Sequence, residues 1–195
     1  MTPKQADRLR QKIANIRRAL AAEKRKLSAY DDSRGMRFFP PKCYIQLGDF
    51  QDGLTYLRWF HKNFQDDAGF PNFLFEWTII LYKNGKLKDA EQKAIETFCS
   101  DIRLIDSFLG KPRTPTELWE DSAVDAASYA TYFDLLGRQT TLVDFAEWLV
   151  AFVASSRFQD CASRYLDLRR QLHGERDLEK RRYLVKQLGH IARGT

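Results

Sequence analysis

The chain has 195 residues, 44% of them hydrophobic, with 14 Phe, 8 Tyr and 4 Trp, and a formal net charge of +6. That much apolar material fills a continuous core without staples, and Cys43, Cys99 and Cys161 stand far apart, with no Cys-x-x-Cys pair and no His at ligand spacing. No apolar run approaches the ~20 residues of a membrane span, and none follows the basic residues of the N-terminus, so the expectation is a cytoplasmic protein with no metal and no cofactor.

Residues 1–28 carry a net charge of +7, residues 29–156 one of −6 and residues 157–195 one of +5. Basic ends around an acidic centre imply either anionic partners for the ends or attraction between ends and middle, within one molecule or across a homodimer. The first segment reads as a helix: Thr2 is placed to cap it, Pro3 sits at the first helical position, and Leu9, Ile13, Ile16, Leu20 and Leu27 form one stripe. Arg10, Arg17, Arg18, Lys24 and Arg25 occupy its other faces. Such a helix packs on the body, pairs with another helix or lies along an anionic surface. A linker follows over 29–42, where Pro40 and Pro41 exclude helix and Phe38 with Phe39 anchors the chain to the core.

One pattern then recurs three times, at Leu47–Leu54, Asn84–Glu91 and Ser155–Ala162: a small residue, a polar one, a large apolar one, a polar one, an acid and a small residue. It writes a tight turn between antiparallel helices, in which Gly48 or Gly85 ends the first helix and Gly53 or Ala90 permits close contact in the second. The segments 47–67, 71–98 and 142–172 carry it, with Tyr56 and Phe60, then Leu74, Trp77, Thr78, Leu81, Ala90 and Ala94, then Phe145, Leu149, Phe158, Cys161 and Tyr165 at the interior positions. Over about half of the chain this resembles the tetratricopeptide repeat. Gly53 and Phe60 stand where that repeat has alanine, and Pro40 and Pro41 shorten its first helix.

The resemblance implies an all-α fold of stacked antiparallel hairpins in a short right-handed array. Within a single helical domain over 1–195, hairpins are expected at 43–98 and 141–173, intervening helices at 99–140, and a C-terminal capping helix at 174–195 with Leu178, Leu184, Leu188 and Ile191 turned inward. In the intervening region Ser100 is placed to cap a helix that Gly110 ends. Ser122 opens another, with Val124, Ala127, Tyr129, Ala130 and Phe133 inward, and Leu118-Trp119 plugs the loop between them. The resemblance further implies a concave partner-binding surface at Asn72, Phe75, Ile79, Tyr82 and Lys83.

No catalytic constellation is legible: His61, His173 and His190 fall in different helices, and Asp31-Asp32 and Asp66-Asp67 sit in loops, where they cap helix N-termini. Phe70, Phe73, Phe75, Trp77 and Tyr82 are more rings than one buried stripe needs, which suggests that some line a groove. The expected function is a protein-interaction module or adaptor that binds a protein or peptide partner. The alternatives are a nucleic-acid-associated regulator using the basic termini, Arg181 and Arg182 included, and an enzyme with an unrecognised site.

Overall fold

The computed structural model describes residues 1–28, 30, 32, 34–65, 67, 69–111 and 126–194, the side chains of 27 and 126–129 excepted. The fold is all-α, with helices α1 Pro3–Leu27, α2 Pro40–Leu47, α3 Phe50–Asn63, α4 Pro71–Lys83, α5 Leu87–Ser100, α6 Ile102–Phe108, α7 Ala126–Leu136, α8 Val143–Val153, α9 Ser156–Gly174 and α10 Leu178–Arg193.

Thr2 and Gln5 close a capping box at the start of α1, which packs on α2 through a stripe that buries Ile13, Ile16 and Leu20. Between them the linker is latched by ions. The buried Asp32 carboxylate accepts the backbone N–H of Met36 at 2.8 Å and of Arg37 at 2.7 Å, and Arg37 bridges Asp32 to Asp67. Phe38 is packed under the Arg37 guanidinium, whereas Phe39 is exposed beneath the Lys12 ammonium, so only the first of the two rings anchors the linker.

Pro40 and Pro41 open α2 instead of excluding it. The first positions of a helix have N–H groups with no intrahelical acceptor, so prolines cost nothing there.

α2 with α3 and α4 with α5 form hairpins, and α4 packs on both α2 and α3. Both turns end on the same motif. Gly48 at φ 74° and Gly85 at φ 69° let the N–H of Asp49 reach Tyr44 O and that of Lys86 reach Leu81 O, each at 3.0 Å. Gly110 and Gly137 end α6 and α7 in the same manner. The N-cap of α6 is Asp101, not Ser100, because α5 continues through Ser100 and the Asp101 carboxylate accepts the Arg103 N–H.

The third turn is different. The buried positions recur as Gly53, Leu57 and Phe60 in α3, as Ala90, Ala94 and Thr97 in α5, and as Phe158, Ala162 and Tyr165 in α9. The sequence pattern aligns Cys161 with Gly53 and Ala90, but the burial frame starts at Phe158, three residues earlier. A bulky ring therefore stands between α8 and α9, packed edge-to-face against Phe152 and Phe98. Ser155 caps α9 in place of a glycine turn.

α9 and α10 pair with each other and both pack on α5, while α6 and α7 fold back toward α5 and α2, and α8 lies against α4 and α9. On α10, Leu184, Leu188 and Ile191 are buried as expected, and Leu178 is exposed. Leu118, Trp119, Ser122 and Val124 lie outside the described residues, as do the side chains of Ala127 and Tyr129. No helix among the described residues is long and apolar enough to cross a membrane.

A Cβ on Gly53 would stand 3.0 Å from Ile80 Cδ1 and 3.2 Å from Tyr44 Cβ. Gly53→Val is expected to destabilise the chain by about 1–3 kcal/mol through overpacking, read as a shift in the urea midpoint; an unchanged midpoint would place α3 farther from α2 and α4 than described.

Candidate functional site

The concave surface expected at Asn72, Phe75, Ile79, Tyr82 and Lys83 is closed by the chain itself. Phe75 is 1% exposed and Ile79 fully buried. Phe75 sits in a ring cluster with Phe108 of α6 at 5.0 Å, Phe133 of α7 at 5.6 Å and Phe145 of α8 at 5.7 Å. The Asn72 carbonyl accepts the Tyr132 hydroxyl at 3.3 Å. Tyr82 packs on Trp148 and donates to Asp144 O, and the Lys83 ammonium pairs with the Asp144 carboxylate at 2.5 Å. These five residues form an interface between helices rather than an open groove, and α6, α7 and α8 fill it, not the terminal helices.

Glu76 explains how α7 and α2 meet there. Its side chain projects from α4 to the start of α2, where Pro40 and Pro41 have no N–H and Lys42 supplies the first free donor. The carboxyl accepts the Tyr132 hydroxyl at 2.6 Å, and Lys42 at that helix start pulls its proton affinity down. The Lys42 ammonium stands 4.9 Å above the Tyr132 ring. A residue of α4 thus holds α7 by a hydrogen bond placed beside the start of α2. Burial pushes the Glu76 carboxyl up to about 8, against the opposing pull of Tyr132 and Lys42.

The open surface lies on the other side of α4. The rings singled out in the sequence divide between the two sides: Phe75 and Tyr82 face inward, while Phe73 and Trp77 line a cleft of about 730 Å³ bounded by α3 and α5. Phe70 is exposed and packs edge-to-face against Phe38. A second cleft of about 760 Å³, walled by α5, α9 and α10, carries Tyr165, Leu172, Val185 and Leu188. Both clefts share Gln65, Asp67, Leu74, Glu96 and Arg193, so they join into one groove along α5.

The floor of this groove is apolar and its rim is charged. The Lys93 ammonium lies 4.2 Å from the Trp77 ring centroid and pairs with Glu96. Asp67 is taken by Arg37. Gln92 donates to Ala192 O at 3.0 Å, which holds the end of α10, and with it Arg193, against the middle of α5. Cys99 lies deep in the second cleft, its thiol pushed up to about 12 by burial and by its neighbours Cys161 and Glu96.

The basic residues of the termini do not converge: α1 packs on α2, and α9 and α10 on α5. Several have partners within the chain. Arg10 pairs with Asp7, Arg18 donates to Asn15 and Lys24 to Asn63. Arg182 pairs with Glu179, and Arg181 donates to the Leu172 and Glu175 carbonyls, closing the end of α9. Arg25 is exposed on α1. His61 stands at the edge of the first cleft, near Trp77. No protein family, curated protein or solved structure matches this chain.

The raised carboxyl fixes a pH dependence. Below the ordinary value of 4.5 Glu76 is protonated folded or unfolded; between 4.5 and about 8 only the folded chain keeps the proton. Its contribution to stability is therefore lost as pH rises through that window and stays lost above it. Glu76→Gln, which keeps an acceptor and removes the charge, is expected to flatten this fall and to melt higher than the parent chain at pH 8; parallel melting profiles from pH 5 to 8 would exclude a protonated Glu76.

Proposed function

We propose that the chain is a protein-interaction module, built of tetratricopeptide-like hairpins, that receives a segment of a partner protein in the groove between α3, α5 and α10. The observation that carries this reading is the contrast between the two faces of α4. The inner face is consumed by the chain's own α6, α7 and α8, while the outer face keeps a continuous apolar floor open beneath a charged rim. Grooves of this kind between helices are a common seat for apolar anchors flanked by polar contacts. Three free cysteines and the lack of a membrane-crossing helix among the described residues fit a cytoplasmic setting.

A photoreactive amino acid placed at exposed Gln65, where the two clefts meet, is expected to crosslink a discrete protein in cells that express the chain. The same group at exposed Val150 on α8 should give no such adduct. Equal adducts at both positions, or none at Gln65, would remove the groove as the binding surface.

The nucleic-acid reading retains one supporting observation, the exposed Lys4, Arg8, Arg18, Arg25 and Lys26 on α1. It requires binding of a labelled 20-nucleotide strand that weakens steeply with salt and is lost without residues 1–28. On the module reading the fluorescence anisotropy of that strand stays flat.

A further inference from the structure

The occupant of the groove is chosen by the charges left over on its rim. Of its carboxylates, Asp67 and Glu96 already have cations, and Asp89 has none at ion-pair distance among the described residues. Of the cations, Arg58, Lys86 and Arg193 line the groove with no carboxylate at ion-pair distance among the described residues. Among the described residues the groove thus carries three unpaired cations and one unpaired anion around an apolar floor. A neutral or basic segment laid on that floor would strip water from the three cations and return nothing for it. Carboxylates flanking the apolar anchors restore those interactions.

The form of the occupant follows from the shape of the groove. Lys86, Asp89, Lys93, Glu96 and Cys99 succeed one another at three- and four-residue steps along one side of α5 and all line it. The groove therefore runs along this helix, whose 14 residues span about 21 Å at 1.5 Å per residue. Its walls are helices, and no strand edge is available among the described residues for an extended peptide to pair with. The mode open to it is a helix laid in a groove.

Resting on the module reading above, we infer that the groove along α5 binds an acidic amphipathic helix of a partner protein. About four turns of that helix lie on Phe60, Trp77 and Leu188, and its carboxylates reach Arg58 and Lys86 at one end and Arg193 from α10.

A library of random 14-residue peptides, displayed and selected against the full-length chain, tests this. The expected winners carry apolar residues at i, i+3, i+4 and i+7 with Asp or Glu beside them. They crosslink to a photoreactive residue at Gln65 and bind at least tenfold more weakly to the Arg58→Glu/Arg193→Glu chain, which changes two exposed side chains and should melt like the parent. Their affinity also falls as salt rises from 50 to 500 mM. Neutral or basic winners that crosslink at Gln65, or acidic winners indifferent to the double substitution, overturn the acidic assignment and leave the groove reading in place. A selection that yields no peptide crosslinking at Gln65 overturns both.

Discussion

The architecture depends on one helix that is apolar on every side. Of the 13 residues of α4, Phe73, Leu74, Phe75, Thr78, Ile79, Ile80 and Leu81 are all buried, and Glu76 with them. A helix that carries apolar residues all round has no solvent face and must be enclosed. One layer of neighbours, α2, α3 and α5, covers part of it. The remainder is what draws α6, α7 and α8 over Phe75 and Ile79, and the same excess of rings leaves Phe73 and Trp77 beneath an incompletely roofed cleft on the far side. The closed inner face and the open outer groove are two consequences of one sequence feature.

Glu76 is the buried carboxyl on that helix, and it lies beside the start of α2. Two prolines begin α2, whose own N-cap residue, Phe39, offers no side-chain acceptor. Glu76 accepts the Tyr132 hydroxyl beside that start, so the centre of α4 and the inner side of α7 share one polar contact within an otherwise apolar region. The elevated proton affinity is the cost of holding a carboxyl there.

What was legible in the sequence follows the range over which each feature is determined. Local signals read true: the Thr2 cap with Pro3, the stripe of α1, and the four glycines that end helices. These depend on residues within one turn. The third hairpin was misregistered because a spacing pattern cannot tell a small residue at a close contact from a ring wedged between helices, as Phe158 is. The concave residues were correctly grouped on one face of α4, but whether that face meets solvent depends on α6 and α7, 30 to 60 residues further on. The outer groove had only a diffuse signal, the surplus of aromatic residues around Trp77, since its rim draws Arg58, Lys86 and Arg193 from three helices.

Charge asymmetry along the chain takes on a different meaning once the helices are in place. The positive ends do not merge into one field: much of it is spent on contacts within the chain, as with Arg181 on the end of α9 and Lys24 on Asn63. Of the C-terminal basic segment, Arg169 and Arg193 reach the groove, the latter carried there because Gln92 fastens the end of α10 to α5. Together with Arg58 and Lys86 it reverses the local sign within the stretch of chain that is acidic overall. Net charge by segment therefore misplaces the attraction in this fold. The residues that set it are the few whose countercharges the packing leaves out, and they are found around the floor of Trp77 rather than on the most basic helix.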